Sequence, residues 1–384
     1  MDYCLSSHST STLPYAFKPQ RSRNFYSKSG VNFVSRRFRP LTVIATAGAS
    51  HCEFGSLNSP LVPRSSVGKD LLGVLLNHPQ LFHLAVADEL KHLADDRDDA
   101  VTRMVLSAGS PEACLHRRIA QLKENENQIA VEDVMYLLIS YKFSEIKVHL
   151  VPRLSKCIYN GRLEIWPSKD WELESVYSFE VLEMIREHVT TVTGLRANSS
   201  VTENWATTKI TRSMLGRVYV ASILYGYFLK SALSRLHLER CIAMESQDPF
   251  HPGSRTYLKF QEMCPSGVKN LLFGRLSSKK TESYSQESRK EENRPEELRC
   301  YVMGLDPDTL RRCATLKSKE AMDLIENHSR ALFGDETTGF LESDEVLLTS
   351  FSSLKRLVLE AVAFGSFLWE TEECVNTVYK LKES

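Results

Sequence analysis

Two histidines carry most of the chemistry this sequence offers. His188 and His328 sit at matching places in two similar stretches, "SFEVLEMIREHVTTVTG" (residues 178–194) and "SKEAMDLIENHSRALFG" (residues 318–334). Two imidazoles brought together by such a pairing could hold a metal or pass a proton. No carboxylate triad or cysteine cluster accompanies them, so hydrogen-bonded core histidines are the preferred reading. Arg217 and Arg356 recur at matching positions too, as do Glu180 and Glu320. Each Glu and Arg is expected to ion-pair and fix the register of its two helices; an arginine at a cleft would instead grip an anionic ligand. Trp166, Trp171 and Trp205 gather near turns. They are read as plugs at the ends of a helical core, with exposed indoles as partner anchors in the other reading. A Walker-type loop, a dinucleotide-binding glycine fingerprint, H-E-x-x-H and G-x-S-x-G are all missing from the 384 residues, so no motif names a reaction and no cofactor or metal site is identified.

The elements that must position these residues are mostly helices. From Lys69, Leu71, Leu72, Leu75 and Leu76 form one apolar face; Pro79 starts a second helix ending in the acidic "DDRDD" (residues 95–99). Ser110 and Pro111 read as the cap and first residue of a third. A strongly apolar segment follows, with a possible break near Phe143. Asn160-Gly161 marks a turn with short strands, and Pro167 confines any strand there to an edge. Residues 178–194 are capped by Ser178, closed by Gly194 and lined by Val181, Ile185, Val189 and Val192. A long helix from about Thr211 to Ile242 is apolar on nearly every side, as a centrally buried helix is. Its uninterrupted apolar run ends at Leu229, well short of the ~20 residues a bilayer crossing needs.

An apolar fraction of 42% and a charged fraction of 25% suit a globular protein with a sizeable core. Formal charge is zero, but residues 1–47 are basic, Ser- and Thr-rich and hold a single acid, Asp2. They read as a chloroplast transit peptide ending near the small residues of "VIATAGAS". The remaining body is mildly acidic, which argues against a nucleic-acid partner. The nine cysteines include no C-x-x-C pair and form neither a disulfide framework nor a zinc site.

The histidine-bearing stretches belong to a longer repeat. "LGRVYVASILYGYFL" (residues 215–229) matches "LKRLVLEAVAFGSFL" (residues 354–368), with Gly226 and Phe228 aligned on Gly365 and Phe367. A mid-helix glycine costs about 1 kcal/mol relative to alanine. Its recurrence predicts a close crossing of two long helices about a pseudo-two-fold axis, with Phe228 and Phe367 filling the space beside it. The expected organisation is a transit peptide (1–47), a linker (48–68), an N-terminal helical region (69–158), a first repeat (159–245), a linker (246–298) disordered from about 276, and a second repeat (299–384).

The paired "YGYFLKSALSRL" and "FGSFLWETEE" helices, each behind a helix of pattern E-x-x-x-x-I-x-x-H and following a plastid-type leader, resemble the plant chloroplast UV-B-induced protein family. The resemblance spans roughly residues 69–384. It is sharpest in "LGRVYVASILYGYFL" and weaker in the second copy, where Ser366 replaces an aromatic residue and Glu360 interrupts the apolar run. It implies a plastid protein linked to light or UV-B stress and brings no catalytic residues, because the family's domain has no assigned function. The expectation is therefore an all-α multi-helix bundle with a duplicated two-helix unit and short strands at most. It is expected in the chloroplast stroma, without a transmembrane segment. Its expected role is binding a protein in the stroma or at the thylakoid surface; the alternative is an enzyme or ligand carrier using His188 and His328.

Overall fold

The structure is a computed structural model and describes residues 59–194, 207–245, 297–334 and 345–382. Ten α-helices, two single-turn 3-10 helices and four short strands make up the regular structure of these residues, so the chain is all-α with minor strands. The expected transit peptide and most of the disordered tract lie outside the described residues. So does Trp205.

Helix α1 (Ser66–Asn77) begins inside the expected linker. Ser65 caps it by accepting from the Gly68 amide at 2.9 Å. Asp133 holds this start in place, accepting from the backbone amides of Arg64 at 2.8 Å and Ser65 at 2.7 Å. A Cβ on Gly68 would fall 2.6 Å from Asp133 Oδ2, so only glycine lets the two segments meet. Helix α2 (Phe82–Leu106) buries Phe82, Val86, Leu90 and Leu93 and runs straight through the acidic stretch that was expected to end it. Helix α3 (Ala113–Glu145) ends two residues past Phe143, close to where the break was expected. Ser110 belongs to the preceding turn, its hydroxyl donating to the Ser107 carbonyl at 2.8 Å. From Asn127 onward α3 is largely buried.

Strands β1 (Ile158–Tyr159) and β2 (Arg162–Leu163) form an antiparallel hairpin. Its turn residues Asn160 and Gly161 both have positive φ, 51° and 72°, as a two-residue hairpin turn demands. Helices α4 (Asp170–Glu174) and α5 (Phe179–Thr193) follow. Gly194 closes α5 at φ 71°. Strand β3 (Thr207–Thr211) leads directly into α6 (Arg212–Glu245).

After α7 (Glu297–Gly304), whose first two residues lie within the span expected to be disordered, α8 (Pro307–Ala314) is capped by Asp306. Helix α9 (Lys319–Phe333) is capped by Ser318. Gly334 ends it in extended backbone, φ −61° and ψ 143°, unlike the left-handed Gly194. Strand β4 (Val346–Ser350) then leads into α10 (Phe351–Val378), which is buried over most of its length.

The sheet order is β1-β2-β4-β3, with β4 parallel to β2 and antiparallel to β3. Lys209 pairs with Leu348 at the centre of the β3–β4 ladder; Thr207 meets Ser350 and Thr211 meets Val346. The pairing is reciprocal under the same offset that carries Gly226 onto Gly365. The helices that follow obey the same symmetry. A Cβ on Gly226 of α6 would run into the Val362 carbonyl of α10. One on Gly365 would run into the Ile223 carbonyl and stand 2.8 Å from the Tyr227 amide nitrogen. The two backbones touch where the glycines are, and α6 against α10 forms the centre of the apolar core.

Candidate functional site

The core around this crossing holds a connected set of buried polar groups. Arg356 and Glu360 lie one turn apart on α10, both fully buried. Arg356 Nη1 stands 2.9 Å from Glu360 Oε2, and its Nη2 donates to the His149 carbonyl at 2.9 Å. The Val151 amide donates to both Glu360 oxygens, at 3.1 and 3.0 Å. Tyr219 of α6 adds a hydroxyl 3.3 Å from Glu360 Oε1, and that hydroxyl is 3.0 Å from His328 Nε2. Burial pushes the Glu360 carboxyl upward against the pull of Arg356. With that carboxylate charged, the one hydroxyl proton of Tyr219 is committed to it. His328 must then donate from Nε2 and carry its lone pair on Nδ1, which has no hydrogen-bond partner among the described residues.

His328 is sealed in. Its ring stacks on Phe364 at 4.4 Å and lies 5.7 Å from Tyr136. Burial drives its pKa down to about 3, so the imidazole is neutral at physiological pH. His188 has a different setting. It is half-buried, stacks on Tyr225 at 4.2 Å, and places Nε2 3.0 Å from the Ser222 hydroxyl. That hydroxyl already donates to the Val218 carbonyl at 2.8 Å, so His188 is the donor here. Burial lowers its pKa as well. Tyr225 and Phe364 are equivalent positions, so each histidine stacks on the matching ring of its own copy. Ser222 becomes Ala361 in the second copy, and His328 reaches across to Tyr219 instead. The histidines share no ligand, and no group of three or more His, Cys, Asp or Glu among the described residues could hold a metal.

The expected Glu–Arg pairs do not form among the described residues. Arg217 is exposed, whereas Arg356 is committed to Glu360 and His149. Glu180 accepts from the Leu298 amide near the start of α7, and Glu320 accepts from the Lys382 amide at 3.3 Å. Phe367 packs edge-on against Phe143 of α3 at 5.1 Å. Phe228 lies partly buried, 6.5 Å from Tyr225.

Two further carboxylates, one buried and one partly buried, escaped the sequence reading. Glu372 of α10 accepts from the Tyr227 hydroxyl at 2.5 Å and the Ser318 amide at 2.7 Å, so it anchors the start of α9. Glu370 lies between Lys142 and Lys230, 2.5 Å from each. Ser366, which stands where the first copy has Tyr227, donates to the Gly226 carbonyl at 3.2 Å. The sequence did carry a signal for Arg356 and Glu360, opposite charges at i and i+4 within a helix that is otherwise apolar on all sides, but none of that kind for Glu370 or Glu372.

The exposed residues tell a different story. Trp166 and Trp171 are 83% and 80% exposed, so neither plugs the core. With Tyr159 and Phe179, also exposed, they put four large aromatic side chains on the surface within one short stretch of chain.

A profile for proteins of unknown function, DUF760, matches residues 114–242. A chloroplastic UV-B-induced protein of Arabidopsis thaliana is 35% identical over 380 residues, covering 93% of this chain and 86% of the relative. No solved structure matches.

Proposed function

This chain belongs to the family of the Arabidopsis chloroplastic UV-B-induced protein, and on that premise we propose that it acts in the chloroplast, in the response to UV-B or strong light, by binding another protein. One observation carries this reading: the exposed aromatic stretch Tyr159, Trp166, Trp171 and Phe179. Large apolar rings left in water are costly, and aromatic side chains are the commonest anchors of protein interfaces. The buried candidates support it from the other side. Arg356 pairs with Glu360, Tyr219 links Glu360 to His328 inside the core, and the two histidines have separate partners. Ligand or metal chemistry at both histidines would need them to share a ligand.

The partner's place is the stroma or the thylakoid surface. The plastid-type leader in residues 1–47 supports import, and among the described residues no helix is long and apolar enough to cross a membrane. The binding scaffold is a duplicated helix–strand–helix unit, α5-β3-α6 and α9-β4-α10. The reciprocal β3–β4 register and the reciprocal glycine contacts support that origin.

Native mass spectrometry of the protein isolated gently from UV-B-treated chloroplasts tests the role. The expected spectrum is the processed chain plus a stoichiometric protein partner. The double variant Trp166→Ala/Trp171→Ala should lose that partner with its melting temperature unchanged, because both rings lie in solvent. A chain carrying a small ligand and no partner, or a partner kept by the double variant, overturns the reading.

A further inference from the structure

The N-terminal half of α3 leaves a regular apolar seam in solvent. Leu115, Ile119, Leu122 and Ile129 are between 36% and 59% exposed. With Glu126 they run at spacings of four, three, four and three, the heptad rhythm of a coiled-coil seam. The other side of this half-helix is already used: Lys123 reaches Asp96 of α2 at 3.4 Å, and Asn127 donates to the Leu93 carbonyl at 3.1 Å. These contacts use a face of α3 other than the seam.

Charge says what fits there. The start of the half-helix is basic, with Arg117 and Arg118 exposed and without a partner among the described residues. Farther along, Glu126 lies in the seam, 3.7 Å from Lys123 of its own turn, while Glu124 is held by Lys382 at 2.9 Å. A second α3 running parallel would set like charge beside like charge, Glu126 on Glu126 and Arg118 on Arg118. A second α3 running antiparallel instead brings Arg118 of each toward Glu126 of the other. Ile119 and Leu122 of both chains then meet at the centre. Glu126, the one polar residue in the seam, lies within a turn of the partner's arginines, and a polar residue at such a position selects register. We propose that this face is an isologous dimer interface, two copies of the chain pairing antiparallel along the N-terminal half of α3.

Sedimentation velocity of the full chain through the micromolar range is the test. The wild type should show a concentration-dependent dimer. Ile119→Lys should give a monomer at every concentration with an unchanged melting curve, since the side chain is on the surface. Arg118→Glu or Glu126→Arg alone should weaken the dimer about tenfold, as two exposed pairs per interface become repulsive. The double swap Arg118→Glu/Glu126→Arg should restore it. A monomeric wild type, as expected if another segment of the same chain covers the seam, overturns the proposal. So does a dimer indifferent to Ile119→Lys, or a double swap that fails to rescue, which would mean the copies are not antiparallel.

Discussion

His328 is the residue whose chemistry the fold alters most. A free imidazole titrates near pH 6.5, and burial lowers this one to about 3. The unfolded chain therefore binds a proton between those values that the folded chain refuses. Stability from this group is complete above pH 6.5 and falls as pH drops toward 3. At pH 4 the loss amounts to about 3 kcal/mol. His83, lowered to about 4 by burial and by Lys142, adds to the same slope, whereas Glu360, displaced upward, opposes it. A difference between variants isolates His328. His328→Gln keeps a donor for Tyr219 but cannot titrate. It should be less stable than wild type at pH 7, and the gap should narrow as pH falls to 4, measured as urea midpoints. A constant gap would mean that His328 is not held neutral. The equivalence of His188 and His328 was legible in the sequence; their separation was not. It turns on two small differences between the copies, Ser222 against Ala361 and Tyr219 against Val358, whose effect appears only once α6 and α10 cross. Arg356 was legible as a repeated arginine, but its true partner sits four residues along its own helix.

At the scale of elements, the crossing of α6 and α10 rests on two glycines. Alanine at Gly226 or Gly365 would place a methyl group inside a carbonyl of the other helix, so the helices must part. The expected cost is about 2 kcal/mol or more for either Gly→Ala change, read from urea midpoints. Gly73 on the outside of α1 is the control. A Cβ there meets nothing, and Gly73→Ala should stabilise by up to about 1 kcal/mol. Opposite signs for the same substitution would isolate packing from helix propensity; equal signs would rule out so close an approach. Helix positions were readable because each amphipathic stripe and cap is a local signal. Val181, Ile185 and Val189 are buried where their spacing put them. Strands β3 and β4 were missed because "TTKIT" and "VLLTS" are short, and only pairing with each other gives them a face to bury. The acidic end assigned to α2 failed for a related reason. "DDRDD" lies on the solvent side of a helix that continues because its neighbour α3 supports it: Lys123 pairs with Asp96 across the two helices.

At the largest scale, the described residues are held together by their last helix. Helix α10 packs against α6 at the glycine crossing, against α3 through Phe143 and Phe367, and against α4 through Lys355, which meets Asp170 at 3.1 Å and Glu174 at 3.2 Å. The short tail beyond it closes the structure. Arg97 of α2 donates to the Lys380 carbonyl at 2.9 Å and lies over the buried Tyr379 ring. The Lys319 amide at the start of α9 donates to the Lys382 carbonyl at 3.1 Å. The segment matched by the DUF760 profile, residues 114–242, stops short of α9, β4, α10 and the tail. In it Tyr219, Ile223 and Tyr227 would face water, and β3 would lose β4. Each such side chain is worth about 1.5–3 kcal/mol when buried, against a net domain stability of only about 5–15 kcal/mol. A fragment of residues 59–245 should therefore keep helical circular dichroism but show no cooperative melt. Adding a fragment of residues 297–384 should restore a single cooperative transition, because it supplies α9, β4 and α10 together. A cooperative melt of residues 59–245 alone would show that the N-terminal helices own a core independent of α10, and that the crossing joins two finished parts. Failure alone and rescue in trans would show one core shared between the two units, as the reciprocal contacts of Gly226 and Gly365 require.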